Sequence, residues 1–256
     1  MATPANERAR GVPVELAGVR KAYAGHVVLA GVDLRVAAGE LLAIVGQSGT
    51  GKSVLLRQIV GLERPDAGRI TVGGIALDEY LALPPDEKPF RIAMVFQSSA
   101  LLASLTVAEN VGLRLRERGG RAPAEVDAIV RRVLEQVELT GTERQLPAEL
   151  SGGMRKRVAI ARALAIDPEL ILYDEPTADL DPILTEQMGL LIARIRAARG
   201  STQIIVTHNL PLARAIADRI AVLAEGRIAE CVTPAELAAT HHPLTREFLR
   251  ASALAG

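Results

Sequence analysis

The chain has 256 residues, close to half of them apolar, enough for a substantial core in one large domain or two modest ones. Lys+Arg and Asp+Glu both total 30, so the overall charge calls for neither nucleic acid, nor an anionic surface, nor an acidic substrate. The single cysteine, Cys231, cannot close an intrachain disulfide, and the adjacent His241 and His242 lack a third ligand at metal spacing, so both read as ordinary features of a cytosolic chain, the histidines in a solvated loop.

Residues 1–12 are polar and charged and read as a flexible leader, with neither a secretory signal nor a transit helix. Short β-type runs follow at Val14 to Leu16, Val28 to Leu29, Val32 to Val36 and Leu41 to Val45. The last of these opens into GQSGTGKS and an apolar-periodic helix, Lys52 to Val60, that stops at Gly61. A β-rich stretch, Arg69 to Leu77, and a loop with Pro84, Pro85 and Pro89 lead to a strand over Arg91 to Phe96 that ends at Gln97. Helical spacing then takes over in Thr106 to Arg118, Pro123 to Val137 and Gly152 to Ala165, so about 98–165 is expected to be a helical insert in an α/β framework. The framework resumes with strands over Leu170 to Tyr173, Gln203 to Val206 and Ile220 to Leu223, alternating with helices near Ile183 to Arg199 and Pro211 to Ala217. A hairpin strand, Arg227 to Cys231, and helices near Pro234 to Ala239 and Leu244 to Ser252 complete the chain. The longest strand-like runs are only a few residues, whereas a helix needs about 20 to span a bilayer, so any membrane role is expected to go through a partner.

GQSGTGKS, residues Gly46, Gln47, Ser48, Gly49, Thr50, Gly51, Lys52 and Ser53, has the spacing of a phosphate-binding loop and sits between a strand and a helix as such a loop must. Its glycines let successive N–H groups converge on phosphate oxygens at a helix N-terminus. Lys52 adds a cation for the β- and γ-phosphates and Ser53 a hydroxyl ligand for Mg²⁺. Asp174 and Glu175 follow the strand Leu170 to Tyr173, at the sheet edge where ligands of parallel sheets bind. Asp174 suits a Mg²⁺ ion that keeps its water shell, and Glu175 suits the orientation of an attacking water.

LSGGM at Leu150 to Met154 joins these features in the order found in ATP-binding-cassette ATPases, and the chain resembles that family from residue 14 to residue 229. GQSGTGKS resembles Walker A, VFQ ending at Gln97 the Q-loop, LILYDE ending at Glu175 Walker B, ADLD at Ala178 to Asp181 the D-loop, and VTH ending at His208 the switch histidine. The resemblance implies a P-loop NTPase (RecA-like) α/β core with an antiparallel β subdomain and an inserted α-helical subdomain, all within residues 13–230, followed by a C-terminal helical extension over 231–256. It implies ATP and Mg²⁺ as cofactors, with Ser53, Gln97 and Asp174 at the metal and Glu175, Gln97 and His208 at the reacting phosphate. It further implies a head-to-tail homodimer in which Ser151, Gly152 and Gly153 close on the γ-phosphate held by the other copy. Tyr23 resembles the aromatic that stacks on adenine, with a packing role for a strand aromatic as the competing reading. Met154 stands where most of the family has Gln, and Asp179 where a small residue is usual. The Arg- and Lys-rich helix RKRVAIARAL reads as a solvated basic face.

Within the family, VFQSSALLASLTVAENV, LSGGMRKRVAIARAL and DEPTADLDPI are similar to the ATPase subunits of Mla and MCE-linked lipid transporters. That similarity implies a peripheral protein on the cytoplasmic face of the inner membrane. Its partners would be an integral-membrane permease docking near Ser98 to Asn110, an MCE-type lipid-binding protein and a small regulatory subunit. The competing readings are the ATPase of a polar-nutrient importer and a soluble cassette, as in DNA repair, translation or iron-sulfur assembly. The soluble cassettes of DNA repair and translation carry long coiled coils or fused second cassettes, which this sequence lacks. A small-molecule kinase with the same phosphate loop would need neither the signature nor the late histidine.

Overall fold

In the computed structural model, which describes residues 10–254, the chain forms ten strands: Val14–Tyr23 (β1), His26–Val36 (β2), Leu41–Val45 (β3), Ala67–Val72 (β4), Ile75–Ala76 (β5), Ile92–Val95 (β6), Leu170–Asp174 (β7), Thr202–Thr207 (β8), Arg219–Ala224 (β9) and Arg227–Val232 (β10). The helices are Lys52–Ile59 (α1), Leu77–Ala82 (α2), Val107–Arg118 (α3), Pro123–Gln136 (α4), Gly152–Ala165 (α5), Pro182–Arg199 (α6), Leu210–Ile216 (α7), Pro234–Ala238 (α8) and Pro243–Leu254 (α9). Two sheets result, one ordered β2-β1-β4-β5 and antiparallel, the other ordered β10-β9-β3-β8-β7-β6. In the second, β6, β7, β8, β3 and β9 run parallel and only β10 is antiparallel.

The continuous apolar strands explain the layering, because a parallel strand must bury both faces. In β3, Leu41, Ala43 and Val45 face the layer that holds the helical insert, while Leu42 and Ile44 face the layer shared with the antiparallel sheet and α1. The same alternation sorts Ile171 and Tyr173 from Leu170 and Leu172 in β7, and Ile205 from Ile204 and Val206 in β8. One sheet therefore separates two cores. Tyr173 is fully buried there with no partner for its hydroxyl among the described residues, and burial pushes its phenol pKa up. Tyr173→Phe is therefore expected to stabilise the fold by about 1 kcal/mol, since an unpaired buried hydroxyl costs roughly 1–3 kcal/mol. A urea titration that showed the variant less stable would mean that the hydroxyl is hydrogen-bonded in solution.

In the insert, Thr106 caps α3 in a reciprocal box: Glu109 N–H donates to Thr106 Oγ1 (3.2 Å) and Thr106 N–H to Glu109 Oε2 (2.7 Å). Val107, Val111 and Leu115 pack with Val126, Val130 and Val133 of α4 and Val158 of α5. Fully buried Asn110 donates Nδ2–H to the carbonyls of Leu102, Leu105 and Thr106 and accepts at Oδ1 from Leu102 N–H, which fastens the loop after Gln97 to α3.

Several elements depart from expectation. Tyr23 ends β1 and so belongs to a strand, and the two expected runs within residues 28–36 are one strand, β2, which passes through Gly31 at φ 112°. The stretch Arg69 to Leu77 breaks at the left-handed pair Gly73 and Gly74 and continues into α2, whose six residues are too few for periodicity to reveal. There Tyr80 stacks on Phe90 at 4.5 Å and donates its hydroxyl to the Phe90 carbonyl at 3.0 Å.

The basic run of α5 is solvated only at Arg155, and its cations are tied to backbone carbonyls. Arg155 donates to the Leu150 carbonyl (2.5 Å), Arg157 to the Val137 carbonyl (3.1 Å) and to Glu138, and Arg162 to the carbonyls of Ser99 (2.8 Å) and Ala100 (2.6 Å), while Lys156 is buried. Loop carbonyls that no helix or sheet satisfies need donors, and these side chains provide them.

Of the expected leader, residues 1–9 lie outside the described residues. Arg10 pairs with Asp167 (2.7 Å), and Val12 accepts from the Thr202 hydroxyl (2.7 Å). At the other end, Leu237 and Phe248 of the terminal helices are buried in the layer under β9. His241 is exposed and His242 half-buried in the loop between those helices, with His242 Nδ1 enclosed and unbonded; the half-burial corrects the solvated-loop expectation for that residue. Half-buried Cys231 accepts a bond at Sγ from Arg219 (2.9 Å), and burial pushes its thiol pKa up.

Candidate nucleotide site at the sheet edge

β3, β7 and β8 end side by side, so the loops that follow them share one edge of the sheet. After β3 the chain turns through Gly49 (φ 81°) and Gly51 (φ 96°), left-handed conformations that favour glycine, and enters α1. Space is equally restrictive. A Cβ on Gly46 would stand 2.4 Å from the Leu223 carbonyl oxygen, and one on Gly51 2.8 Å from Val28 Cγ1.

The Lys52 ammonium lies inside this loop, donating to the carbonyls of Gly46 (2.9 Å) and Gln47 (2.8 Å). Burial lowers its pKa, and the carboxylates of Glu175 and Asp174 oppose that. Ser53, one residue on, donates its hydroxyl to Asp174 Oδ1 at 2.7 Å, so a hydroxyl from α1 meets a carboxylate from the end of β7. Burial raises the Asp174 pKa and the Ser53 bond pulls it the other way. A hydroxyl and a carboxylate side by side are the hard oxygen donors that Mg²⁺ takes, and the glycine cradle with its central ammonium has the chemistry to take a phosphate. The residues present fit MgATP.

Glu175 holds a left-handed backbone (φ 45°) unusual for a non-glycine residue, anchored by its N–H to the Val206 carbonyl at 2.9 Å. Its Oε2 lies 3.0 Å from His208 Nδ1 and accepts from His208 N–H at 3.3 Å, so the residue after β7 and the residue after β8 form one pair. Glu175 is buried, whereas the His208 side chain is 63% exposed. A buried carboxylate next to an exposed imidazole can polarise a water on one side and a phosphate oxygen on the other. Gln97 follows β6 with its side chain exposed, and its carbonyl accepts from Lys156 Nζ at 3.1 Å.

Ser151 is the N-cap of α5, its Oγ accepting from Met154 N–H at 3.2 Å, with Gly152 exposed beside it. That helix end is the second anion-binding feature expected from the sequence. Among the described residues no hydrogen bond or ion pair joins Ser151, Gly152 or Gly153 to the phosphate loop. Tyr23 is 41% exposed, and its hydroxyl donates to Glu63 Oε2, whose other oxygen accepts from Arg57 Nε at 3.1 Å. Glu63 and Lys156 were not foreseen from the sequence, because a Glu after a helix stop and a Lys within a basic run carry no spacing signal.

The family model for the ABC transporter matches residues 29–178, which hold the glycine cradle, Gln97, the Ser151 cap and the Asp174–Glu175 pair. The chain belongs to the ABC transporter ATPases. As such it hydrolyses ATP with Mg²⁺, and cassettes of this family dimerise and work with membrane permease components. It is 42% identical to the L-cystine transport system ATP-binding protein TcyN of Escherichia coli over 244 residues, which is 92% of this chain and 96% of that one. It is 37% identical to the probable ribonucleotide transport ATP-binding protein mkl of Mycobacterium leprae over 93% of this chain and 69% of that one. The dimeric ATP-binding cassette MJ0796 in a post-hydrolysis state bound to ADP and Pi superposes with a TM-score of 0.77 at 34% identity, covering 86% of this chain and 98% of that one. No helix among the described residues is long and apolar enough to cross a membrane.

Proposed function

We propose that this ABC ATPase drives a permease that moves phospholipid or another hydrophobic molecule between membranes, and that it works as a homodimer on the cytoplasmic face of the inner membrane. The observation that supports the ATPase half of this reading most directly is the Ser53–Asp174 bond, which joins the phosphate loop to the acidic strand end at one sheet edge. In this reading Gly46 to Lys52 seat the phosphates, Ser53, Asp174 and Gln97 hold the Mg²⁺, and Tyr23 supports the adenine. The bound ion would neutralise charge that develops on the phosphates. Glu175 orients the attacking water, and His208, held 3.0 Å from it, supports the γ-phosphate edge. Ser151, Gly152 and Gly153 serve the nucleotide of the other copy.

The lipid half rests on the sequence similarity to the Mla and MCE-linked ATPases, and it brings with it an MCE-type lipid-binding protein and a small regulatory subunit as partners. A polar-nutrient importer is the second reading, favoured by the near full-length match to TcyN. The test is purification of the chain from its native membrane in mild detergent, with mass spectrometry of the copurifying proteins and lipids. A polytopic permease together with a lipid-binding MCE-type protein is the expected result. A permease with a soluble solute-binding protein would replace lipid by nutrient import, and no membrane protein at all would remove the transport reading.

A further inference from the structure

Lys156 is set apart from the other cations of α5. It is only 8% exposed, although a lysine is rarely buried without an anionic partner. Its ammonium has three N–H groups, and one of them is spent on the Gln97 carbonyl at 3.1 Å. No carboxylate comes within ion-pair distance of it among the described residues, yet the carboxylates of Asp179 and Glu175 are the anions that act on it, against a burial that lowers its pKa. Asp179 is itself held left-handed at φ 63°, in the loop between Glu175 and α6. Four residues of α5 beyond the Ser151 cap thus lie between the exposed cap and this buried ammonium. Farther along the helix, Arg162 takes the next carbonyls of the same loop, Ser99 and Ala100.

We propose that Lys156 is a positioning residue that fastens the Gln97 loop to the helix capped by Ser151. It touches none of the reacting atoms. Its effect is mechanical: through this bond the backbone at Gln97, which serves the chain's own nucleotide, is tied to α5, whose capped end serves the nucleotide of the other copy. One buried ammonium then ties the two sites of a dimer through a single chain. A donor is required for this because the loop offers a carbonyl, which a neutral apolar side chain could not hold.

This inference rests on the site roles proposed above, so Glu175→Gln is carried through the same experiments as a control. Lys156→Met preserves length and apolar bulk, and Lys156→Arg restores a donor and a charge. Amide hydrogen exchange on the nucleotide-free protein is expected to be about tenfold faster across residues 97–100 in Lys156→Met and close to wild type in Lys156→Arg. In steady-state ATP hydrolysis, kcat is expected to fall about tenfold in Lys156→Met with KM within about twofold of wild type, and Lys156→Arg to recover most of the loss. Wild-type exchange and wild-type kcat in Lys156→Met, with Glu175→Gln inactive, would overturn the role of Lys156 and leave the site reading standing. Should Glu175→Gln hydrolyse ATP normally, the site roles themselves fail, and exchange over residues 97–100 still decides whether Lys156 holds that loop. A Lys156→Met protein that lost ATP affinity and kcat together with its cooperative melting transition, unrescued by Lys156→Arg, would make the residue a packing element only and overturn the proposal.

Discussion

Glu175→Gln is expected to lower ATP turnover by at least about 100-fold while ATP binding and ATP-driven dimerisation persist, because general-base assistance is worth roughly 10²–10⁴ in rate. The substitution keeps the shape of the side chain. Its oxygen can still accept from His208 N–H, which now lies 3.3 Å away, and the backbone bond to Val206 that holds the left-handed turn is untouched. What is lost is the negative charge that polarises water. Stopped turnover with a stable dimer in size-exclusion chromatography at saturating MgATP is the anticipated combination. A variant that hydrolysed ATP at the wild-type rate would take Glu175 out of the reaction.

Gly46→Ala is expected to abolish nucleotide binding, with affinity for ATP reduced by more than about 100-fold, equivalent to roughly 2.7 kcal/mol. The new methyl carbon would lie 2.4 Å from the Leu223 carbonyl oxygen, a backbone atom of β9 that a side-chain rotation cannot move. Relief requires a shift of the phosphate loop away from β9, and that shift disturbs the carbonyls of Gly46 and Gln47 that hold the Lys52 ammonium. Isothermal titration with MgATP, alongside a melting curve to establish that the variant is folded, checks this. Binding within threefold of wild type would mean that the loop has slack absent from the structure. Gly49, where a Cβ would meet nothing within 4 Å, has only its φ of 81° to object, so Gly49→Ala is the milder companion.

The parts of this molecule that sequence reveals are those where chemistry and periodicity coincide. Leu41 to Val45 is legible because a two-sided strand must be apolar throughout, and GQSGTGKS because glycine spacing and a following helix are both required of a phosphate seat. The helices α3, α4 and α5 fall within a residue or two of expectation, since each shows one long apolar stripe. Short or composite pieces are hidden. α2 spans fewer than two full turns, and β2 is interrupted in hydropathy because its residues alternate between core and solvent around Gly31. Side chains that bond to a distant backbone leave no local trace: the grip of Lys156 and Arg162 on residues 97–100 joins positions about 60 apart, which a basic run in a helix cannot announce. Glu63 behind Tyr23 is hidden in the same way, a contact across 40 positions.

The position of β3 has a consequence for how the protein is made. Its sheet partners are β8 and β9, and neither exists when the phosphate loop leaves the ribosome. At ~5–20 residues per second, the roughly 160 residues that separate β3 from β8 take about 8–30 s to synthesise. For that interval a strand with no polar residue on either face has no sheet to enter. The nascent chain must keep LLAIV sheltered, in transient contact with the antiparallel sheet or with a chaperone, until β8 and β9 have been made. The candidate phosphate loop is thus translated well before the strands that become its sheet neighbours.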